Sequence, residues 1–210
     1  MRVLLFADGE LPSPALIAEL AGQADLVVAA DGGADKALSL GIRANAVVGD
    51  LDSVTAEARR VLGEQAFHHM PSPNSTDLQK AIDFALDAGA DTIDIVAAGG
   101  GRADHALANL SVLPLYRGRG ELRVIDDLFE VSLVEEEARI EAPAGTVISL
   151  VAIGRCIGVT TTGLRWDLDC YDLVFSPYGV HNEIAQSPAT VSVESGDLLL
   201  FRGRWIEKHV

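Results

Sequence analysis

Short apolar runs alternate with helical stretches along the first half of the chain. The apolar runs predict strands at 3–7, 26–30, 46–48, 92–98 and 122–125, and the stretches between them predict helices at 14–20, 34–40, 54–62, 76–88 and 103–115. The helical spacing is clear in 76–88, where Leu78, Ala81, Ile82 and Ala85 recur three and four residues apart. Strands that alternate with helices are joined by right-handed crossovers and form a mostly parallel sheet. We therefore predict an N-terminal α/β domain with a Rossmann-like sheet.

The pattern changes near residue 129. Short apolar runs follow one another without a helical period, and Pro, Gly, Ser and Asp separate them, at 131–134, 138–140, 147–153, 173–175, 190–193 and 198–201. Such spacing is typical of an all-β sandwich. We place the boundary at Asp126–Asp127, so the predicted domains are residues 1–127 and 128–210.

Composition narrows the possible partners. The 210 residues carry a formal charge of 16 − 31 = −15, which argues against nucleic acid or an anionic membrane as a partner. An anionic nucleotide remains compatible if magnesium bridges the charges. No apolar stretch reaches the ~18 residues of a membrane span, and the N-terminus resembles a first strand rather than a signal peptide. Cys156 and Cys170 have no metal-ligand spacing, so we expect reduced thiols and a cytoplasmic location.

Four clusters combine Asp with Gly, Ser or Thr: ADGGAD at 30–35, GDLDS at 49–53, STD at 75–77 and GGGRADH at 99–105. Three of them follow predicted strands, where ligands bind in parallel sheets. Asp50 and Asp52 would point to the same side of an extended strand end, and Asp77 could join them. Carboxylates in this arrangement suit Mg²⁺. Each Asp alone could instead be a turn or N-cap residue, but the four clusters together favour a metal and phosphate site.

Two of the clusters also offer backbone N–H groups to a phosphate. Gly32 and Gly33, after Asp31, allow a tight turn and close approach of the backbone, although a plain strand-to-helix turn explains the same residues. Ser75 or Thr76 is expected to cap the helix that follows, whose first amides favour anions. Neither GxxxxGK[ST] nor GxGxxG is present.

The fourth cluster adds a basic side chain. Gly99–Gly101 could cradle a phosphate, and Arg102 could bind it with two hydrogen bonds. His105 is expected to cap or pack the helix that begins here rather than act as a base. The other histidines show no ligand spacing, and surface or packing roles are expected for them: His68, His69, His181 and His209.

The ordered set DGGADKAL, GDLDS, STDLQKAI and GGRADHALANL, across about 31–110, resembles the thiamine pyrophosphokinase family. The resemblance implies ATP-dependent transfer of pyrophosphate to the hydroxyethyl oxygen of thiamine, with release of AMP. It also implies a homodimer, with thiamine held between the α/β domain of one subunit and the β domain of the other. By matching position, Asp50, Asp52 and Asp77 would hold Mg²⁺ and the triphosphate, with Asp31 beside them.

The resemblance extends to the acceptor side of the reaction. Arg102 and Asp104 would line the nucleotide and thiamine side of the site, and Asp104 is our candidate for the carboxylate that orients the alcohol or accepts its proton. Asn182 and Glu183 match a family segment near thiamine. Trp166 matches a Gly-Leu-x-Trp stretch, and a core position is expected for it.

Two departures from the family pattern leave the acceptor open. His181 stands where bacterial relatives have Ser, and Asn74 stands where the family often has an acid. One alternative is therefore a pyrophosphokinase for another hydroxyalkyl heterocycle, such as a pterin alcohol. A second alternative is a nucleotide-binding homologue without catalysis, which would bind ATP and release no AMP.

Overall fold

The computed structural model describes residues 1–207, so His209 lies outside the described residues. The chain divides into two compact units, and the first is Met1–Asp127. Its strands are β1 Arg2–Phe6, β2 Leu26–Ala30, β3 Ala46–Gly49, β4 Phe67–His69, β5 Thr92–Val96 and β6 Glu121–Ile125. Its helices are α1 Pro14–Ala21, α2 Gly33–Ser39, α3 Ala56–Leu62, α4 Asp77–Asp87, α5 Ala103–Leu110 and α6 Val112–Leu115, with a 3₁₀ turn at Glu64–Ala66.

The six strands of the first unit pair in the order β4-β3-β2-β1-β5-β6, and every pair is parallel. β1 therefore lies inside the sheet, with β2 on one side and β5 on the other. The strand order reverses at β1, because the chain adds β2 to β4 on one side before it crosses to β5 on the other. A ligand crevice is expected at the carboxyl ends of the strands at such a switch point.

Helix α4 shows how the sequence builds this unit. Leu78, Ala81, Ile82 and Ala85 are buried on one face of the helix, as their spacing predicts. Thr76 is the N-cap and forms a capping box with Gln79, so of the two predicted caps Thr76 takes the role. The cap fixes where α4 begins and places Asp77 in its first turn.

The second unit begins at Leu128. Its strands are β7 Phe129–Val134, β8 Glu137–Ile140, β9 Thr146–Thr162, β10 Tyr171–Val174, β11 Asn182–Glu183, β12 Ala189–Ser192 and β13 Ser195–Ile206. They pair antiparallel in the order β7-β13-β9-β12-β8, and β10 and β11 also pair with β9. Ile148, Leu150, Leu173, Ile184 and Leu198 belong to its buried core. The predicted fold class is confirmed: a parallel α/β region precedes an antiparallel β region.

Several local predictions were wrong in extent. β9 spans 17 residues instead of the short run predicted at 147–153, because pairing with β13 and β12 carries it past Gly154 and Gly158. The helix predicted at 103–115 divides into α5 and α6, and Pro114 explains the break because it has no N–H for the Leu110 carbonyl. β4, a three-residue edge strand, was not predicted.

No helix in the described part of the chain is both long enough and apolar enough to cross a membrane.

Candidate active site

The four acidic clusters meet at the carboxyl ends of β1, β2, β3 and β5. Together they line a cleft of about 740 Å³ in the first unit. The residues that line it include Asp31, Asp50, Asp52, Thr76, Asp77, Gly99, Gly100, Gly101, Arg102 and His105. The parallel sheet explains the meeting, because neighbouring strands end at the same edge although their residues are distant in sequence.

The backbone is unusual where three of these strands end. Asp31, Leu51 and Ala97 have positive φ angles of 44°, 64° and 55°. The left-handed region costs a residue other than glycine about 1–3 kcal/mol when its surroundings hold it there, and such residues concentrate at functional sites. The three residues follow β2, β3 and β5. The backbone at this edge of the sheet therefore departs from its most stable conformation, as the backbone of functional sites often does.

Three carboxylates converge inside the cleft. Asp31, Asp50 and Asp77 each offer an oxygen, and these atoms lie within 4.8 Å of one another. Asp31 is 6% exposed, and its Oδ1 is buried without a hydrogen-bond partner among the described residues. Burial raises the pKa of Asp31, and the negative charges of Asp77 and Asp50 raise it further, against hydrogen bonds from Ser53 that lower it. A buried carboxylate oxygen that lacks a donor is a suitable ligand for a cation.

The reason for expecting Asp50 and Asp52 side by side was wrong. Leu51 lies in the left-handed region, so the backbone is not extended between them. Asp52 instead accepts a hydrogen bond from the Ser53 hydroxyl at 2.9 Å and lines the cleft beside the group of three. Asp31, expected only beside the metal, takes the third place in the group, and the assignment of Asp52 to the metal stays a prediction.

The start of α4 supplies Asp77. Its Oδ1 accepts hydrogen bonds from the Lys80 Nζ at 2.8 Å and from the Asp50 N–H at 3.3 Å. Thr76 lines the cleft, whereas Ser75 is not among the described residues that do so.

The two glycines after Asp31 have a packing role that the sequence did not indicate. A Cβ on Gly33 would overlap Phe6 O and lie 2.9 Å from Ala7 O, and one on Gly32 would lie 2.9 Å from the Asp8 carboxylate. The glycines therefore let the start of α2 pass directly over the end of β1. Approach to a phosphate stays a prediction for them.

We expect Gly33→Ala to destabilise the protein by about 1–3 kcal/mol, as overpacking of a filled site does. The φ angle of Gly33 is not positive, so the loss would come from the collision with β1 alone. Thermal unfolding of the variant measures it. Gly22→Ala is the matched control, since the nearest atom to its Cβ lies 3.4 Å away. Equal stability of the two variants would contradict the packing role.

Sequence reasoning missed other polar residues of the cleft. Asp8, Glu10 and Lys36 line it, and Glu10 Oε1 accepts a hydrogen bond from the Gly101 N–H at 3.2 Å. Asp8 had a signal of the same kind as the recognised clusters, because it directly follows the apolar run of β1.

At the start of α5, Arg102 donates two hydrogen bonds to Asp104, at 3.1 and 2.6 Å. Both side chains are largely exposed. The hydrogen bonds from Arg102 lower the pKa of Asp104 to about 2. His105 is exposed and lines the cleft, so the expected packing role was wrong. The N-cap of α5 is Arg102, with no side-chain cap hydrogen bond, so the expected capping role was wrong too.

Asn182 and Glu183, which match a family segment near thiamine, and Trp166 lie in the second unit. Asn182 exchanges hydrogen bonds with the backbone of Trp166, donating to its carbonyl at 2.7 Å, and Glu183 accepts one from Arg165 at 2.6 Å. Glu183 is buried. Trp166 is 57% exposed with the Arg165 guanidinium over its ring, so the expected core position was wrong.

Two family models match the chain. The thiamin pyrophosphokinase catalytic domain matches residues 17–123, and the thiamin pyrophosphokinase vitamin B1 binding domain matches residues 133–198. The chain belongs to the thiamin pyrophosphokinase family. The prediction that it is a thiamine pyrophosphokinase enzyme is thereby confirmed.

Individual relatives agree with the family models. Thiamine pyrophosphokinase from Bacillus subtilis (strain 168) is 32% identical over 200 residues, 89% of this chain and 92% of the relative. The crystal structure of a thiamine pyrophosphokinase from Bacillus subtilis has a TM-score of 0.82 at 27% identity and covers 97% of this chain and 99% of its own. Yeast thiamin pyrophosphokinase has a TM-score of 0.78 at 17% identity, covers 96% of this chain and 86% of its own, and shows the shared fold alone. Thiamin pyrophosphokinases use ATP, and the Asp31, Asp50 and Asp77 group is consistent with a metal.

Proposed function

We propose that the cleft of the first unit binds Mg-ATP and that the chain transfers a pyrophosphoryl group from ATP to the hydroxyethyl oxygen of thiamine. The observation that carries this proposal is the convergence of Asp31, Asp50 and Asp77 within 4.8 Å, with the Asp31 Oδ1 unpaired among the described residues. Family membership supplies the reaction. The products are thiamine diphosphate and AMP.

The donor set fits Mg²⁺, which prefers carboxylate oxygens together with water and phosphate oxygens. Asp31, Asp50 and Asp77 would hold it, and Asp52 lies next to them in the cleft. When bound, Mg²⁺ neutralises the charge of the phosphates during the transfer. Titration with Mn²⁺ measures the number of cations that bind per site.

In the transfer, the alcohol oxygen of thiamine forms a bond to the β-phosphorus. The bond from that phosphorus to the oxygen bridging the α- and β-phosphates breaks, AMP leaves with the bridging oxygen, and the proton of the alcohol passes to solvent. The protein contributes mainly position and charge. Gly99 and Gly100, which line the cleft, would offer backbone N–H groups to the phosphates, and Arg102 would supply a charge. Gly32 and Gly33 are proposed to approach the phosphates from the start of α2.

The thiamine side of the site is proposed to involve Asp104, Asn182 and Glu183. Asp104 would hold the hydroxyethyl group, while Asn182 and Glu183 would hold the ring system, supported by the match of 133–198 to a vitamin B1 binding domain. Thiamine is a cation, and acidic residues that line the cleft (Asp8, Glu10, Asp31, Asp50, Asp52, Asp77) favour its approach.

A homodimer with thiamine between the two subunits is part of the proposal. The second unit exposes Trp166, Phe175 and Tyr178, and exposed apolar side chains often mark an interface. Light scattering after gel filtration distinguishes 22.2 kDa from twice that mass. A cytoplasmic location is also proposed, supported by the absence of a disulfide bond between Cys156 and Cys170.

The test is a reaction of the protein with Mg-ATP and thiamine, followed by separation of the nucleotides. AMP and thiamine diphosphate in equal amounts are expected. ADP would indicate an ordinary kinase, and ATP binding without AMP would indicate a protein that has lost catalysis. A pterin alcohol in place of thiamine serves as the comparison acceptor, and faster AMP release with it would overturn the thiamine assignment.

We expect Asp104→Asn to raise the KM for thiamine about tenfold, the effect of one lost charged hydrogen bond. Because the pKa of Asp104 is about 2, its carboxylate is ionised across roughly pH 5–8 and cannot set an acidic limb there. The acidic limb of kcat/KM should therefore be the same in the variant and the original protein. A limb that disappears in the variant would identify Asp104 as the base instead.

A further inference from the structure

Lys80 is a buried cation beside the acidic site that the proposed reaction does not use. It lies on α4 one turn after Asp77, and it is 6% exposed. Among residues 1–207 it is the one Lys or Arg in the buried class. A buried Lys needs a partner, and its Nζ donates to the Asp77 Oδ1 at 2.8 Å.

The two oxygens of the Asp77 carboxylate differ in their hydrogen bonds. Oδ1 accepts hydrogen bonds from Lys80 and from the Asp50 N–H. The described residues give Oδ2 no hydrogen bond. Since the Asp50 N–H also holds Oδ1, the carboxylate is fixed from two directions, and rotation about its bond to Cβ would break both contacts.

We propose that Lys80 is a positioning residue that orients the Asp77 carboxylate for the cation. The inference rests on the proposed metal site at Asp31, Asp50 and Asp77. Groups that hold a metal ligand in place from behind are a general requirement of metal sites, and their loss typically costs about 10- to 100-fold in affinity. Lys80 acts through Asp77 and is not a catalytic residue.

A direct contact between Lys80 and the phosphates is a different role, and the structure argues against it. Lys80 is not among the described residues that line the cleft, whereas Lys36 and Arg102 are. Its ammonium group would have to leave Asp77 and emerge from a buried position to reach a phosphate. The contacts of Lys80 therefore favour positioning of Asp77 over direct binding of a phosphate.

The positioning role makes a prediction opposite in sign to a simple charge effect. The positive charge of Lys80 repels a metal cation, so removal of the charge alone would tighten metal binding. Loss of orientation would weaken it, because Asp77 would turn freely.

The experiment measures Mn²⁺ binding to the full chain without ATP by electron paramagnetic resonance, which reports free Mn²⁺ and does not depend on activity. We expect Lys80→Met to raise the Mn²⁺ dissociation constant about 10- to 100-fold and Lys80→Arg, which keeps a charged donor, to recover most of the loss. The KM for thiamine at saturating Mn²⁺ should not change. Lys80→Ala is the second variant should the Met side chain prevent folding.

The matched control is Arg60→Met on α3, which removes a cation from an exposed i,i+3 pair with Glu57 and should leave Mn²⁺ binding unchanged. Unchanged or tighter Mn²⁺ binding by folded Lys80→Met or Lys80→Ala would overturn the positioning role while the metal site stands. A change in the KM for ATP alone would assign Lys80 to the phosphates and also overturn it. Failure of the original protein to bind Mn²⁺ would overturn the metal site and the inference together.

Discussion

Asp31→Asn is expected to lower kcat/KM for Mg-ATP by about 100- to 1,000-fold, the usual loss when one group that stabilises the transferring charge is removed. The Asn side chain has the same shape and can still accept the hydrogen bond from the Ser53 N–H. It lacks the charge that the cation needs, and Asp31 contributes the buried oxygen that has no donor among the described residues. Steady-state release of AMP at several Mg²⁺ concentrations measures the loss.

The same variant should not be less stable. A folded-state pKa raised by burial means that the ionised carboxylate of Asp31 costs folding free energy, and this cost is present above the raised pKa. As the pH falls through the raised pKa, protonation relieves the cost, and an uncharged Asn relieves it at every pH. At neutral pH the free energy of unfolding of Asp31→Asn should equal or exceed that of the original protein.

Asp83→Asn is the matched control for this experiment. It makes the same chemical change on α4, in an exposed pair with Arg119 at 3.2 Å and outside the cleft lining. Its kcat/KM should stay within about twofold, as for most surface substitutions. Activity of Asp31→Asn close to that of this control would remove Asp31 from the site.

Asp94→Asn is expected to lower the free energy of unfolding by about 3 kcal/mol, near the lower end of the cost of breaking a buried ion pair. Asp94 lies in the middle of β5, is 1% exposed and accepts hydrogen bonds from Arg2 at 2.7 Å and Arg123 at 2.9 Å. The variant removes the negative charge between two guanidinium groups. The Arg2 side chain is 31% exposed, so water can solvate its guanidinium group after the Asp94 charge is lost. We therefore expect a loss near the lower end of the range.

Urea unfolding should show a lower midpoint for Asp94→Asn, with the same dependence of free energy on urea concentration. Asp91→Asn is the comparison, because the Asp91 carboxylate pairs with the N-terminal ammonium group in solvent, and little change is expected. The folded Asp94→Asn protein should keep its kcat, since Asp94 does not line the cleft. A midpoint equal to that of Asp91→Asn would mean that the network contributes no stability.

The stability and activity predictions separate two kinds of buried acid. Asp94 is buried with two cations that satisfy its charge, so it supports the fold. Asp31 is buried next to Asp50 and Asp77, and its Oδ1 has no hydrogen-bond partner among the described residues, so its ionised carboxylate costs stability. Groups kept at a cost to stability are those that function requires.

Much of the site could be predicted because its residues occur in short local sequence motifs. Each cluster places an acid and small residues directly after an apolar run, and a parallel sheet brings such ends to one edge. Asp50 and Asp77 were assigned to the metal on this basis, and the structure groups them with Asp31. The roles of the individual residues stay predictions for the experiments above.

The partners of each acid could not be predicted, because they depend on contacts between distant segments. The structure groups Asp31 with Asp50 and Asp77, and Leu51, between Asp50 and Asp52, has a positive φ angle that the sequence does not reveal. The pair between Lys80 and Asp77 is local in α4, but its role depends on Asp50, which follows β3. Trp166 was expected in the core and His105 was expected to cap or pack a helix, and both are exposed in the structure.

The sequence by itself determined the two kinds of architecture, the four acidic clusters and the resemblance to the family, because hydrophobic period and short motifs are local properties. Tertiary structure alone decided which three carboxylates converge, how far β9 extends and which acids are paired. The physical reason is that charge, burial and strand pairing act between residues that are close in space and far apart in the chain. For this chain, those contacts separate Asp31, an acid that we propose serves the reaction, from Asp94, an acid that supports the fold.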